Sequence, residues 1–153
     1  MQTRRVNVRG IIYHNEKLLV TKFRTKDGGE THYWGTFGGG LDIGEPIEQG
    51  LHREMIEETG IAPKIGRLLF MQQFHDGEKE QFELFFHIEN PEDYLEVNLE
   101  TTTHGALELA RAEFVSPSEH VIWPVFLSTV DLNAYTTQSL PVYFHNELPK
   151  VTA

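Results

Sequence analysis

The chain has 153 residues, 39% of them hydrophobic and 24% charged, and 13 Lys and Arg against 23 Asp and Glu leave a formal net charge of −10. This length suits one globular domain, 1–153, with a core that needs no disulfide or structural metal. The absence of Cys excludes disulfide frameworks, thiolate zinc sites and cysteine nucleophiles. The acidic balance argues against a nucleic-acid polymer or an anionic membrane as the main partner, but phosphates that arrive with metal cations remain open. No run approaches the ~18 apolar residues of a membrane span. The basic N-terminal residues Arg4 and Arg5 have no apolar stretch behind them, so a cytoplasmic protein is expected.

In chain order, Val6 to Tyr13 is β-rich, and Asn15 with the polar pair after it predicts a turn into Leu18-Leu19-Val20, an opening hairpin. Asp27-Gly28-Gly29 marks a loop, followed by the short extended run Tyr33–Phe37 and then by Gly38-Gly39-Gly40. Three successive glycines are poor in helix and strand alike and mark a place where backbone approaches something closely. Glu45 to Gly60 predicts a helix, with Pro46 in its first turn and Gly60 as its stop. Arg67–Phe74 and Glu80–Ile88 flank Asp76-Gly77 as a hairpin, and Phe82, Leu84, Phe86 and Ile88 form one apolar face of the second strand. Leu109–Val115 reads as a further strand and Phe126–Tyr135 as a second helix. Strands before and after a central helix, with hairpins among them, predict a mixed sheet with helices packed on it, of α/β or α+β class.

On a helix through this central segment, Glu54, Glu57 and Glu58 fall within ~100° of arc, at i, i+3 and i+4. Like charges at these spacings repel. Such a cluster is either a solvated face or a seat for hard cations held by carboxylate oxygen, Mg²⁺ first and Mn²⁺ next. Gly50 lies on the same face and would leave room for ions or phosphate oxygens. Arg53, four residues before Glu57, can orient it by an ion pair. The glycine loop upstream can bring backbone carbonyls to the same ions.

The whole string from Gly39 to Ile61 decides between the two readings. It resembles the signature of the Nudix hydrolase family, G-x5-E-x7-R-E-U-x-E-E-x-G-U with U aliphatic: Gly39, Glu45, Arg53, Glu54, Met55 as the loosest fit, Glu57, Glu58, Gly60 and Ile61 occupy the specified places without a gap. Seven fully fixed positions match by chance at any one placement on the order of once in 10⁸ to 10⁹. The resemblance implies an α/β/α sandwich on a mixed β-sheet and a Mg²⁺-dependent pyrophosphohydrolase that splits a nucleoside diphosphate from another moiety. It implies Glu54, Glu57 and Glu58 as metal ligands with the Gly39 carbonyl, Glu54 or Glu57 as base, Arg53 as the catalytic arginine, and Glu45 as a supporting charge held by Arg53. Arg24, Gly38 and Glu108 are candidate substrate contacts. Where many members have Pro-Gly-Gly, this chain has Phe37-Gly38-Gly39, which alters the stiffness of the turn and removes no ligand.

The expected substrate is a small nucleotide, a nucleoside triphosphate or a modified one. ADP-ribose and nucleotide sugars are the alternative, although the window Asp76–Lys79 lacks the proline or tyrosine that marks some subfamilies. A nucleotide-sensing or protein-binding module without turnover is the alternative from another class, and it has no need of the full carboxylate set. The sequence is compatible with a homodimer. The eight histidines include no i, i+4 pair of the zinc-helix type and are read as structural or solvated. Lys22 and Arg24 share a strand face where they could touch phosphate, and Tyr33 and Trp34 are read as core.

Overall fold

In a computed structural model, residues 3–149 are described. Its elements are the strands β1 (Arg4–Ile11), β2 (Tyr13–His14), β3 (Lys17–Phe23), β4 (Gly38–Gly40), β5 (Ile65–His75), β6 (Glu80–Ile88), β7 (Leu109–Val115) and β8 (Tyr143–Asn146), with helices α1 (Ile47–Thr59), α2 (Gly105–Glu108) and α3 (Leu132–Thr137). The strands form a mixed five-stranded sheet in the order β4-β1-β6-β5-β8 and an antiparallel three-stranded sheet in the order β2-β3-β7. β1 runs parallel to β6 and antiparallel to β4.

The opening hairpin is real but smaller than its sequence suggested. Asn15 and Glu16 have φ of 49° and 63°, the left-handed pair that a two-residue turn requires, and they join β2 to β3. β1 itself departs into the larger sheet, so the run from Val6 to Tyr13 divides between two sheets. The β5–β6 hairpin forms around Asp76–Lys79 as expected, with Gln72 opposite Glu83 and Gln73 opposite Phe82.

One face of the large sheet, with Val8, Leu84 and Ile88, packs against Leu51 and Met55 of α1. The other face is not solvent: Ile11, Phe70 and Phe85 pack with Leu18 and Val20 of the small sheet and with Phe126, Leu127 and Leu132. β6 is therefore central and buried on both sides, which explains how it accommodates Phe85 beside Glu83. Its alternation registers two different partners rather than core against water.

α1 begins at Ile47, two residues later than Glu45, with Pro46 at the N-cap in extended conformation, and is capped by Gly60, whose φ of 75° lets its N–H close on the Ile56 carbonyl. The second helix expected over 126–135 is instead a 3-10 turn at Val125–Ser128 followed by α3. Asp131 separates them, because its side chain accepts the Ala134 N–H at 3.0 Å and starts a new helix there.

Candidate active site

Two clefts adjoin at Arg9 and Phe23, and the smaller of them opens beside α1 and β4. The smaller, about 310 Å³, is lined by Glu54, Glu57, Glu58 and Arg53 of α1, the glycines of β4, Arg5 and Arg9 of β1, and His104 and Glu108 from the other side. β4 explains the triple glycine. Gly38 has φ of 134° and a Cβ there would run into the Val8 carbonyl, while a Cβ on Gly39 would stand 2.8 Å from the Glu54 carboxyl atoms. Only bare backbone fits between β1 and the acidic helix.

Arg53 organises the carboxylates. Its Nε and Nη2 donate to the two oxygens of Glu45 at 2.8 and 2.9 Å, its Nη1 to Glu54 and Glu57 at 3.1 and 3.2 Å, and its Nη2 also to the Gly40 carbonyl at 3.2 Å. Its hydrogen bonds hold the Glu45 carboxyl down at about 2, and those same contacts raise Arg53 further. Gly50 does not leave space for ions: a Cβ there would meet the Leu41 side chain and Glu45, so this glycine admits the Arg53–Glu45 pair and the Leu41 packing.

Glu58 is the buried member, 3% exposed, and its Oε1 accepts the Gly38 N–H at 2.7 Å. Burial pushes its carboxyl up to about 8, against the lowering influence of that hydrogen bond and of Arg9. Burial likewise raises Glu54, with Arg53 opposing. Among the described residues no three His, Asp or Glu side chains are gathered closely enough to hold a metal ion as they stand. Glu54 and Glu57 are drawn to Arg53, and Glu58 turns to the loop. The donor set nonetheless fits a hard divalent cation: desolvated, mutually repelling carboxylates lining one cleft are relieved by added positive charge, and oxygen donors suit Mg²⁺ or Mn²⁺.

The larger cleft, about 630 Å³, shares Arg9 and Phe23 with the first. Tyr33 and Trp123 stand at its wall, stacked with centroids 3.9 Å apart and planes 10° from parallel. Gln72, Phe74, Thr36 and Glu83 line it as well.

Of the residues singled out in the sequence, Glu54, Glu57, Glu58, Arg53, Gly38, Gly39 and Glu108 line the small cleft together. Arg24 does not. Its Nε donates to the Ala106 carbonyl at 3.0 Å and its backbone N–H to that of Glu108 at 2.9 Å, so it ties β3 to the turn that carries Glu108. Lys22 lies buried over the Trp34 ring, 5.1 Å from its centroid, with Nζ donating to Thr31 at 2.9 Å. Trp34 is core, 5% exposed, whereas Tyr33 forms cleft wall. Sequence reasoning missed Arg5, Arg9, His104, Phe23 and Trp123. The His104 Nδ1 sits 3.0 Å from the Glu57 carboxylate. A signal existed for the arginines alone: Arg5, Asn7 and Arg9 alternate along β1 and so share one face.

A glycine strand laid against an acidic helix, within two sheets that enclose an aromatic cleft, defines an α+β sandwich protein with a carboxylate-lined site at the sheet–helix junction. The NUDIX domain matches residues 3–131, and the chain belongs to that family. It is 28% identical over 127 residues to Nudix hydrolase 2 of Arabidopsis thaliana, an alignment covering 83% of this chain and 44% of that protein. The chain thus spans less than half the length of that relative. Among solved structures it superposes on a NUDIX hydrolase from Nitrosomonas europaea with a TM-score of 0.68 at 19% identity, covering 90% of this chain and 94% of the other. An ADP-ribose pyrophosphatase from Streptococcus suis gives 0.62 at 16% identity, with 93% and 99% covered. At these identities the likeness to solved structures is one of fold.

Proposed function

We propose that this chain is a Mg²⁺-dependent pyrophosphohydrolase, served also by Mn²⁺, that hydrolyses a nucleoside diphosphate linked to another moiety, with a nucleoside triphosphate or modified nucleotide as substrate. The observation that carries this reading is the junction of the two clefts at Arg9 and Phe23: one is acidic, the other aromatic and of nucleoside size.

Glu54, Glu57 and Glu58 with the Gly39 carbonyl would hold the cation, with Glu108 at the same cleft. A bound divalent cation neutralises phosphate oxygens and lowers the pKa of a bound water. Arg53 keeps Glu54 and Glu57 oriented through the contacts given above, while Glu45 and Gly40 fix Arg53 itself. Glu54 and Glu57 keep oxygens in the cleft and are the carboxylates able to take the proton of a water attacking phosphorus. Tyr33 and Trp123 offer aromatic faces to a base, the kind of contact that stacking uses.

The test is a panel of nucleoside triphosphates, oxidised nucleotides, ADP-ribose, nucleotide sugars and dinucleoside polyphosphates incubated with purified protein and Mg²⁺. We expect release of a mononucleotide with pyrophosphate or a phosphorylated remainder from at least one member. No release from any of them overturns the proposal.

A further inference from the structure

We infer that Arg5 selects for a substrate that ends in a phosphate group: its guanidinium, seated on Gly40, receives the distal phosphate of a nucleoside triphosphate at the far end of the acidic cleft. This rests on the nucleotide reading above and adds to it the residue that separates a triphosphate from a diphosphate capped by a sugar.

Arg5, Arg9 and Arg53 all line the acidic cleft. Every N–H of the Arg53 guanidinium is engaged by Glu45, Glu54, Glu57 or the Gly40 carbonyl. Arg9 spends Nε on Glu83 and Nη1 on the Thr36 and Gly38 carbonyls, and its Nη2 lies 3.1 Å from the same Glu83 carboxylate. Arg5 differs. It is exposed, and among the described residues its guanidinium has neither an ion-pair partner nor a hydrogen-bond acceptor, although Glu54, Glu57, Glu58 and Glu108 line the same cleft.

The separation comes from β4. A Cβ on Gly39 would meet the Glu54 carboxyl, whereas a Cβ on Gly40 would stand 2.8 Å from Nη2 and 2.9 Å from Nε of Arg5. Adjacent residues of a strand project to opposite faces, so Arg5 lies across β4 from the carboxylates. β4 is the edge strand of the large sheet, and the cleft reaches round that edge to both. The family signature leaves position 40 unspecified; here a glycine at that position lets the guanidinium lie against the backbone.

The cleft also has a direction. Its Gly38 end, held by Arg9, adjoins the larger cleft, which Arg5 does not line. Arg5 sits at the Gly40 end, roughly 7 Å further along the strand. A polyphosphate that leaves its nucleoside at Arg9 and Phe23 therefore passes the carboxylates and ends at Arg5. An unspent guanidinium fork matches the oxygens of a terminal phosphate bidentately, with charge assistance that sugar hydroxyls do not supply.

The test has a turnover arm and a binding arm, both with Mg²⁺. In the first, kcat/KM is measured on the best nucleoside triphosphate of the panel and on ADP-ribose. Arg5→Ala should lower it about tenfold for the triphosphate, through KM, and only about twofold for ADP-ribose. Arg5→Lys keeps the charge without the fork and should bring the triphosphate value back to within about threefold of wild type. Gly40→Ala displaces a guanidinium on a flexible arm; it should reproduce the Arg5→Ala loss, and add less than about twofold when combined with Arg5→Ala. In the second arm, inorganic triphosphate is titrated calorimetrically into wild type and Arg5→Ala, and the variant should bind it about tenfold more weakly. Equal losses on the two substrates, or turnover of ADP-ribose but of no triphosphate, overturn this inference alone. Inorganic triphosphate that binds both proteins equally, or does not bind wild type, overturns it as well, and additive losses in the double variant overturn the seat on Gly40. Arg5-dependent binding of inorganic triphosphate without turnover of any nucleotide supports the inference and overturns the hydrolase proposal.

Discussion

Replacing Glu58 by Gln sets the stability of the fold against the needs of the site. The Glu58 side chain is almost wholly buried and accepts one N–H from Gly38 at 2.7 Å, and burial lifts its carboxyl from an ordinary 4.5 to about 8. The folded chain then holds this proton more tightly than the unfolded one. The stability it contributes is fully present below pH about 4.5 and is lost as pH rises toward about 8. At ~1.36 kcal/mol per pH unit, the loss by pH 8 is roughly 4–5 kcal/mol, which for a domain of this size lowers Tm on the order of 10 °C. Gln keeps an acceptor for Gly38 and has no proton to lose. In thermal unfolding with a metal chelator, wild type and Glu58→Gln should differ little at pH 5, and wild type should fall behind by on the order of 10 °C at pH 8. Mg²⁺ at pH 8 should then raise the Tm of wild type far more than that of the variant. A gap between the two proteins that stays constant from pH 5 to pH 8 refutes the reasoning.

The other perturbations act on geometry. Arg53→Lys replaces a fork that reaches Glu45, Glu54, Glu57 and Gly40 with a point charge; steady-state kinetics should show kcat down about 100-fold with a smaller change in KM. Gly39→Ala puts a methyl 2.8 Å from the Glu54 carboxyl and should lower kcat by about 100-fold through displacement of that side chain, with the far-UV circular dichroism spectrum preserved; full activity would contradict the close approach. Trp123→Ala removes one aromatic face of the larger cleft and should raise KM about tenfold with kcat within about twofold, measured on the best substrate of the panel.

How far the sequence carried depended on the range of the interactions involved. The β5–β6 hairpin, the helix stop at Gly60 and the turn at Asn15-Glu16 are set by residues within one turn of each other, and all three were legible. So was the carboxylate cluster, because α1 places Glu54, Glu57 and Glu58 by helical spacing alone. The division of Val6–Tyr13 between two sheets was not, since it depends on β1 pairing with β6, as in the Asn7–Gln81 contact between residues 74 apart. The same distance in sequence hid the pairing of Arg9 with Glu83. Phe126, Leu127 and Leu132 all reach the core, which produced the look of one amphipathic helix, but Asp131 caps a separate turn between them. Gly50 was misjudged because Leu41 and Glu45, which fill the space over it, come from the loop before the helix rather than from the helix itself.

The central claim is that the acidic cleft carries out metal-dependent hydrolysis. Its most direct test is the initial rate of nucleotide hydrolysis as Mg²⁺ is added, for wild type and for Glu57→Gln, on the substrate that the panel identifies. Glu57 is partly exposed and held by Arg53 and His104, so the substitution should leave the thermal transition in place. Wild type should rise from background to a saturating rate, and Glu57→Gln should stay near background at every Mg²⁺ concentration. A wild-type rate independent of Mg²⁺, or a Glu57→Gln rate matching wild type, would contradict the claim.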